Sequence, residues 1–157
     1  MVSADVIRDA LDNYGDAVYK LCLIMLKNHA DAADAAQETF ITYMDKSPLF
    51  TGAEKEKAWL MQVAANKCRD MLRMRSRRNT VSDDILENYA ENTEEYGIVE
   101  ALTELPDKYR IVMILHYIEG YKTEEIAGMI GKTVSAVKMR LSKGRTMLRE
   151  AYRKEYM

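Results

Sequence analysis

Between Thr133 and Arg149 the chain carries five cations, Lys138, Arg140, Lys143, Arg145 and Arg149, and no acid. Fixed positive charge at this density suits a polyanion, because each cation that meets a phosphate releases a condensed counterion. Gln62, Asn66, Arg69 and Arg73 form a second set, spaced by three or four residues. Side-chain amides can pair with base edges, and guanidinium groups with phosphate or guanine. Residue sets suited to bond-making are missing from the sequence. It has no His/Cys cluster at metal-ligand spacing, no phosphate-binding glycine loop and no nucleophile elbow. His29 and His116 are solitary and read as structural or surface residues. The chemistry expected is binding, with no enzymatic activity, no metal and no cofactor.

Both sets need helices to present them. Thr123–Arg149 reads as two helices around a tight turn. Ile126, Ala127 and Ile130 give the first an apolar stripe, with Thr123 as its N-cap and Glu124 and Glu125 in its first turn. Gly131 supplies the turn, since glycine enters the left-handed region at little cost. Thr133 caps the second helix, whose apolar stripe is Val134, Val137, Leu141 and Leu148. A helix pair with a basic second member is the pattern of a helix-turn-helix that reads the DNA major groove. A solvated basic face is the competing reading.

Upstream, Asp5–Lys27 reads as a helix with Val6, Ala10, Tyr14, Val18, Leu21 and Met25 on one face, and Asn28 and His29 break it. Asp31–Asp45 follows as a second helix, N-capped by Asp31. Ala33, Ala36, Phe40 and Met44 point inward, and Asp34, Glu38, Ile41 and Asp45 line another face. That acidic face is either plain solvated surface or a docking site for a basic partner. Ser47–Lys57 reads as a loop on Pro48 and Gly52. Trp59–Arg78 reads as a long helix with Leu60, Val63, Ala64, Met71 and Leu72 inward, its charge extended by Arg75, Arg77 and Arg78. Phe50 and Trp59 could stack on single-stranded bases, although Trp59 suits a core position as well.

Asn79–Gly97 loses helical periodicity and holds Asp83, Asp84, Glu87, Glu91, Glu94 and Glu95, so it reads as a flexible acidic linker. Its roughly 19 residues span at most about 60 Å fully extended. Ile98–Leu105 then opens a second domain, and Pro106 starts a new helix. Asp107–Tyr117 follows with Ile111, Val112 and Leu115 as core, and Gly120 closes it. The expected fold is all-α: two small helical domains, 1–78 and 98–157, joined by the linker 79–97, the second containing the helix-turn-helix.

The net charge of −2 hides a block pattern. Residues 1–58 carry −4, 59–78 carry +5, 79–120 carry −8 and 121–157 carry +5. Two basic blocks separated by acidic ones suggest two contacts with one polyanion. Cys22 and Cys68 lie far apart in apolar-periodic segments and read as buried reduced thiols. No secretory leader pattern opens the chain, and the apolar run Leu21–Leu26 is too short to span a bilayer. A cytoplasmic location without membrane insertion is expected.

Four stretches, in this order, resemble the sigma factors of bacterial RNA polymerase, of the extracytoplasmic-function group. They are DAADAAQETF at Asp31–Phe40, AWLMQVAANKCRDMLR at Ala58–Arg73, LPDKYRIV at Leu105–Val112, and Gly120–Arg149 with EIAGMIG and TVSAVKMRLSKGR. The resemblance covers nearly the whole chain. It implies that residues 1–78 are sigma region 2 and residues 98–157 sigma region 4, without the central domain of larger sigma factors. Asp34, Gln37 and Glu38 would then dock on the clamp coiled coil of the polymerase largest subunit, which favours the docking reading of the acidic face. The flap of the second-largest subunit would be a further contact. The helix from Trp59, with the loop before it, would bind and help melt the minus-ten element through Asn66, Lys67, Arg69 and Arg73. The second domain would read the minus-thirty-five element. There Lys138, Met139, Ser142 and Lys143 match base and phosphate contact positions, and Arg140 and Arg145 serve as phosphate clamps or helix-packing groups. An anti-sigma factor is the regulatory partner implied.

The sequence departs from the family pattern at several places. Ala33 stands where an acid is common, Met139 where serine is frequent and Gly144 where alanine is frequent. The glycine costs roughly 1 kcal/mol of helix stability, and a close approach of backbone to DNA is the expected reason for it. The loop Glu54–Lys57 lacks the aromatic and arginine often found there. The alternative function is a helix-turn-helix regulator that acts without polymerase.

Overall fold

The computed structural model describes residues 3–46, 48–74 and 93–156, and every regular element among them is helical. They form two compact units, one within Met1–Arg78 and one within Asn79–Met157. Most of the expected acidic linker, 79–92, and the cations Arg75, Arg77 and Arg78 lie outside the described residues. No described helix is long and apolar enough to cross a membrane.

The first unit packs three helices, α1 (Ala4–Leu26), α2 (His29–Lys46) and α3 (Ala53–Met74), each against the other two. Ser3 caps α1 by accepting the Val6 N–H at 3.3 Å. Lys27 ends it in the left-handed region, with its N–H closing on the Leu23 carbonyl at 2.8 Å. Leu21 through Leu26 are buried without exception, so the apolar run is the centre of this unit's core. Each large apolar side chain so buried stabilises the fold by about 1.5–3 kcal/mol.

Helix α2 departs from the sequence reading in two ways. Its cap is Asn28, whose Oδ1 accepts the Asp31 N–H at 2.9 Å, and Asp31 sits inside the first turn. Its buried residues are Ala32, Ala35, Thr39, Phe40 and Tyr43, while Ala33 is exposed and Ala36 and Met44 are only half-buried. The stripe is rotated by about one residue. Paired alanines in DAADAAQ leave the phase open, and burial of Thr39 is made cheap by a hydroxyl bond to the Ala35 carbonyl at 2.8 Å.

Helix α3 starts at Ala53, six residues before Trp59, with Glu54 and Glu56 in the first turn where the helix dipole favours acids. Leu60, Met61, Ala64, Ala65 and Cys68 are buried; Val63, Met71 and Leu72 are half-buried. Cys22 and Cys68 are both free thiols in the core.

The second unit contains α4 (Thr93–Thr103), α5 (Asp107–Met113), a π-helical segment (Ile114–Ile118), α6 (Thr123–Ile130) and α7 (Val134–Tyr156). Residues 93–97, read as linker, are the first turns of α4. Helix α7 is the hub, packed by α4, α5 and α6. The helix after Pro106 widens at Ile114 instead of running as one α-helix to Tyr117. His116 Nδ1 lies 2.8 Å from the Tyr121 carbonyl, and Tyr121 donates its N–H to Leu115 at 2.9 Å, so the returning chain is tied to this segment. Arg110 is buried at 1% exposure, with Nη1 on the Leu105 carbonyl at 2.6 Å and Nη2 on Asp107 at 2.7 Å. A charge survives in such a place only when it is paired and hydrogen-bonded.

Candidate nucleic-acid interface

Helix α6 begins at Thr123, one residue earlier than a Thr123 cap would allow. Glu125 accepts the Lys122 N–H at 2.9 Å and fixes that start. The Glu124 carboxyl is held below its ordinary value, first by its own backbone N–H, then by the Thr123 hydroxyl and the attraction of Lys138 and Lys122. Gly131 turns the chain at φ 68, and the Lys132 N–H closes on Ala127 at 3.0 Å. Thr133 then caps α7 by accepting the Ala136 N–H at 3.0 Å.

The turn delivers α7 with one face inward. Val137, Leu141 and Gly144 are buried, and Val134 and Leu148 half-buried, along one stripe. Lys138, Met139, Ser142 and Lys143 therefore stand exposed together, with Met139 at 60%. Arg140 is half-buried, and Arg145, though exposed, donates to the Tyr117 hydroxyl at 3.0 Å. Gly144 faces inward. A Cβ there would stand 2.8 Å from Met113 Sδ and 2.9 Å from its Cγ, so the glycine admits α5 and leaves no opening toward DNA. The expected backbone approach to DNA at Gly144 is thereby corrected.

In the first unit, Asn66 and Arg73 are exposed on α3, and Gln62, Lys67 and Arg69 are half-buried. Arg73 is ion-paired with Asp70 on the same helix. Asp34, Gln37 and Glu38 are all exposed on α2. Two of the sequence-derived sets meet here: Lys67 Nζ lies 3.9 Å from Glu38 Oε2. Beside the acidic face an open groove of about 510 Å³ runs between α1 and α2, lined among others by Ile7, Leu11, Gln37, Phe40 and Ile41. Leu11 and Ile41 are nearly half exposed. The part α1 takes in this surface was not read from the sequence, where Leu11 lies off the expected buried face.

The sequence also missed what holds the start of α3. Tyr43, Phe50 and Trp59 form a ring cluster with centroids 5.8–6.0 Å apart. The Tyr43 hydroxyl donates to Glu56 at 2.6 Å, and Tyr14 donates to the Ala53 carbonyl at 3.3 Å. Burial, then Glu56, pushes the Tyr43 pKa up to about 12. Phe50 and Trp59 are thus engaged with one another and with Tyr43. No spacing rule joins Tyr43 to Glu56, because they sit on different helices.

Residues 11–78 match the family model for Sigma-70 region 2, and residues 97–148 that for Sigma-70, region 4. The chain is 32% identical to the ECF RNA polymerase sigma factor SigW of Bacillus subtilis (strain 168), over 95% of this chain and 90% of that protein. It is 29% identical to the RNA polymerase sigma factor SigV of the same strain, over 87% and 85%. Among solved structures, the sigma factor RpoE of Bartonella quintana, in complex with the anti-sigma factor NepR, has a TM-score of 0.74 at 21% identity, over 93% of this chain and 96% of that one; this is a likeness of fold. Both family models, in the order found in the chain, and a relative matched over almost its whole length show that the chain belongs to the extracytoplasmic-function (ECF) sigma factors of bacterial RNA polymerase.

Proposed function

We propose that this sigma factor divides its work among three exposed helix faces. Asp34, Gln37 and Glu38 of α2 dock on the clamp coiled coil of core polymerase, with the apolar α1–α2 groove beside them. Asn66, Lys67, Arg69 and Arg73 of α3 hold the minus-ten element in its opened form. Lys138, Met139, Ser142 and Lys143 of α7 read the minus-thirty-five element in the major groove, flanked by Arg140 and Arg145. The flap of the second-largest subunit contacts the second unit. The observation that carries this reading is the division on α7, where the apolar stripe is buried and these four residues are left outward together. The protein acts in the cytoplasm, where polymerase and promoter meet, and adds no catalysis of its own. An anti-sigma factor restrains it, in keeping with the complex seen for the Bartonella quintana protein.

The test is transcription in vitro with core polymerase on genomic fragments, followed by start-site mapping. Charge reversal by Asp34→Lys with Glu38→Lys is expected to reduce core binding more than tenfold and to abolish promoter-specific transcripts. A variant that still co-purifies with core and transcribes normally would remove α2 from the interface. It would leave a regulator that binds duplex DNA without polymerase.

A further inference from the structure

We infer that the Glu38–Lys67 ion pair couples polymerase docking to DNA binding: docking takes Glu38 away and releases Lys67 to a phosphate. The inference rests on the roles proposed above for α2 and α3.

Lys67 projects from α3, and its amine lies 3.9 Å from Glu38 on α2. The Lys67 side chain is 35% exposed and that of Glu38 58%, so the amine lies across the neighbouring helix while the carboxylate stays within reach of a partner. Arg73 is also paired, but with Asp70 three residues earlier on its own helix. Asp70 lies on α3, outside the α2 set proposed to dock. Glu38 differs, because it belongs to the acidic face offered to a basic partner. A cation that takes Glu38 removes the partner of Lys67, and a phosphate that takes Lys67 frees Glu38. Such coupling is reciprocal, so core and DNA raise each other's affinity by the same factor. Exposed ion pairs are weak, which limits the factor to about two- to fivefold. Docking would thus remove one of the ion pairs that neutralise cations of α3, while Arg73 stays paired with Asp70, at the moment when single-stranded promoter DNA must be held.

The test uses the free full-length protein and a fluorescent single-stranded 20-mer of mixed sequence at low salt, since a phosphate contact needs no particular base. Glu38→Gln is expected to raise affinity about two- to fivefold. Asp34→Asn removes the same charge from the same face and controls for general repulsion; it is expected to give less than half that gain. Combining Glu38→Gln with Lys67→Gln should erase the gain, leaving the double variant equal to Lys67→Gln alone. Equal gains from Asp34→Asn and Glu38→Gln would overturn the proposal, as would a Glu38→Gln gain that survives without Lys67. Core affinity of the charge-reversed α2 variants is measured separately. Undiminished core binding there would sink the docking role and the coupling with it, whereas a failed oligonucleotide series with impaired core binding would sink the coupling alone.

Discussion

At Gly144 two residue-scale effects oppose each other. Alanine would gain roughly 1 kcal/mol of helix propensity. Its Cβ would meet Met113 at 2.8–2.9 Å, and overpacking of this kind costs about 1–3 kcal/mol. Gly144→Ala is therefore expected to lower the melting temperature of the second unit. In a Met113→Ala background the same change should be neutral or stabilising, because the clashing atoms are gone. Thermal unfolding of the four proteins checks both statements. Tyr121 is a second decisive residue. It is buried to 9% exposure, and its hydroxyl has no hydrogen-bond partner among the described residues. Burial, then Glu119 and Glu125, pushes its pKa from 10.0 to about 12. The unfolded chain releases this proton first, so the stability involved is complete below pH 10 and is lost as pH rises through about 12. Tyr43 acts with the same sign. Tyr121→Phe should leave stability at neutral pH unchanged or raise it by about 1 kcal/mol, since the orphaned hydroxyl is removed. It should also flatten the alkaline loss, as read by denaturant unfolding across that pH window.

At the scale of the element, α7 does two jobs on opposite faces. Its stripe of Val137, Leu141 and Gly144 holds the second unit together, and Lys138, Met139, Ser142 and Lys143 are left exposed as the proposed DNA-reading set. Lys143→Ala touches only the second job. It is expected to weaken promoter binding and to lower the salt slope by about 1, with sequence preference unchanged. Fluorescence anisotropy on specific and scrambled duplexes over a salt series measures this; unchanged affinity at low salt would place Lys143 outside the interface. Helix α3 shows how an element's start is set by its surroundings. Gly52 and Pro48 suggested a loop as far as Lys57, yet the helix begins at Ala53. Tyr14 and Tyr43, from α1 and α2, bond to its first turn, and those partners are remote in sequence.

At the scale of the molecule, each of the two units contains one of the two basic blocks of the sequence. Deleting part of the acidic segment 79–92 is expected to impair promoters that need both contacts while duplex binding by the second unit persists. Equal loss in both assays would mean that this segment supports the fold. Run-off transcription beside duplex binding by the full-length variant distinguishes the outcomes.

The sequence alone determined the helical class and the helix-turn-helix with its Gly131 turn and Thr133 cap. Those features depend on periodicity and on contacts within a few residues, which the order of side chains encodes directly. It also carried the family, because four motifs in order constrain more than any one of them. Only the tertiary structure decided the phase of α2, the early start of α3, the inward role of Gly144, the burial of Arg110 and the meeting of Lys67 with Glu38. In DAADAAQ several registers bury alanine equally well, and the neighbouring helices select one. Gly144 has no side chain to announce its direction, and its role is set by Met113 of α5. An ion pair between α2 and α3 depends on how two helices pack, which no spacing along one of them specifies.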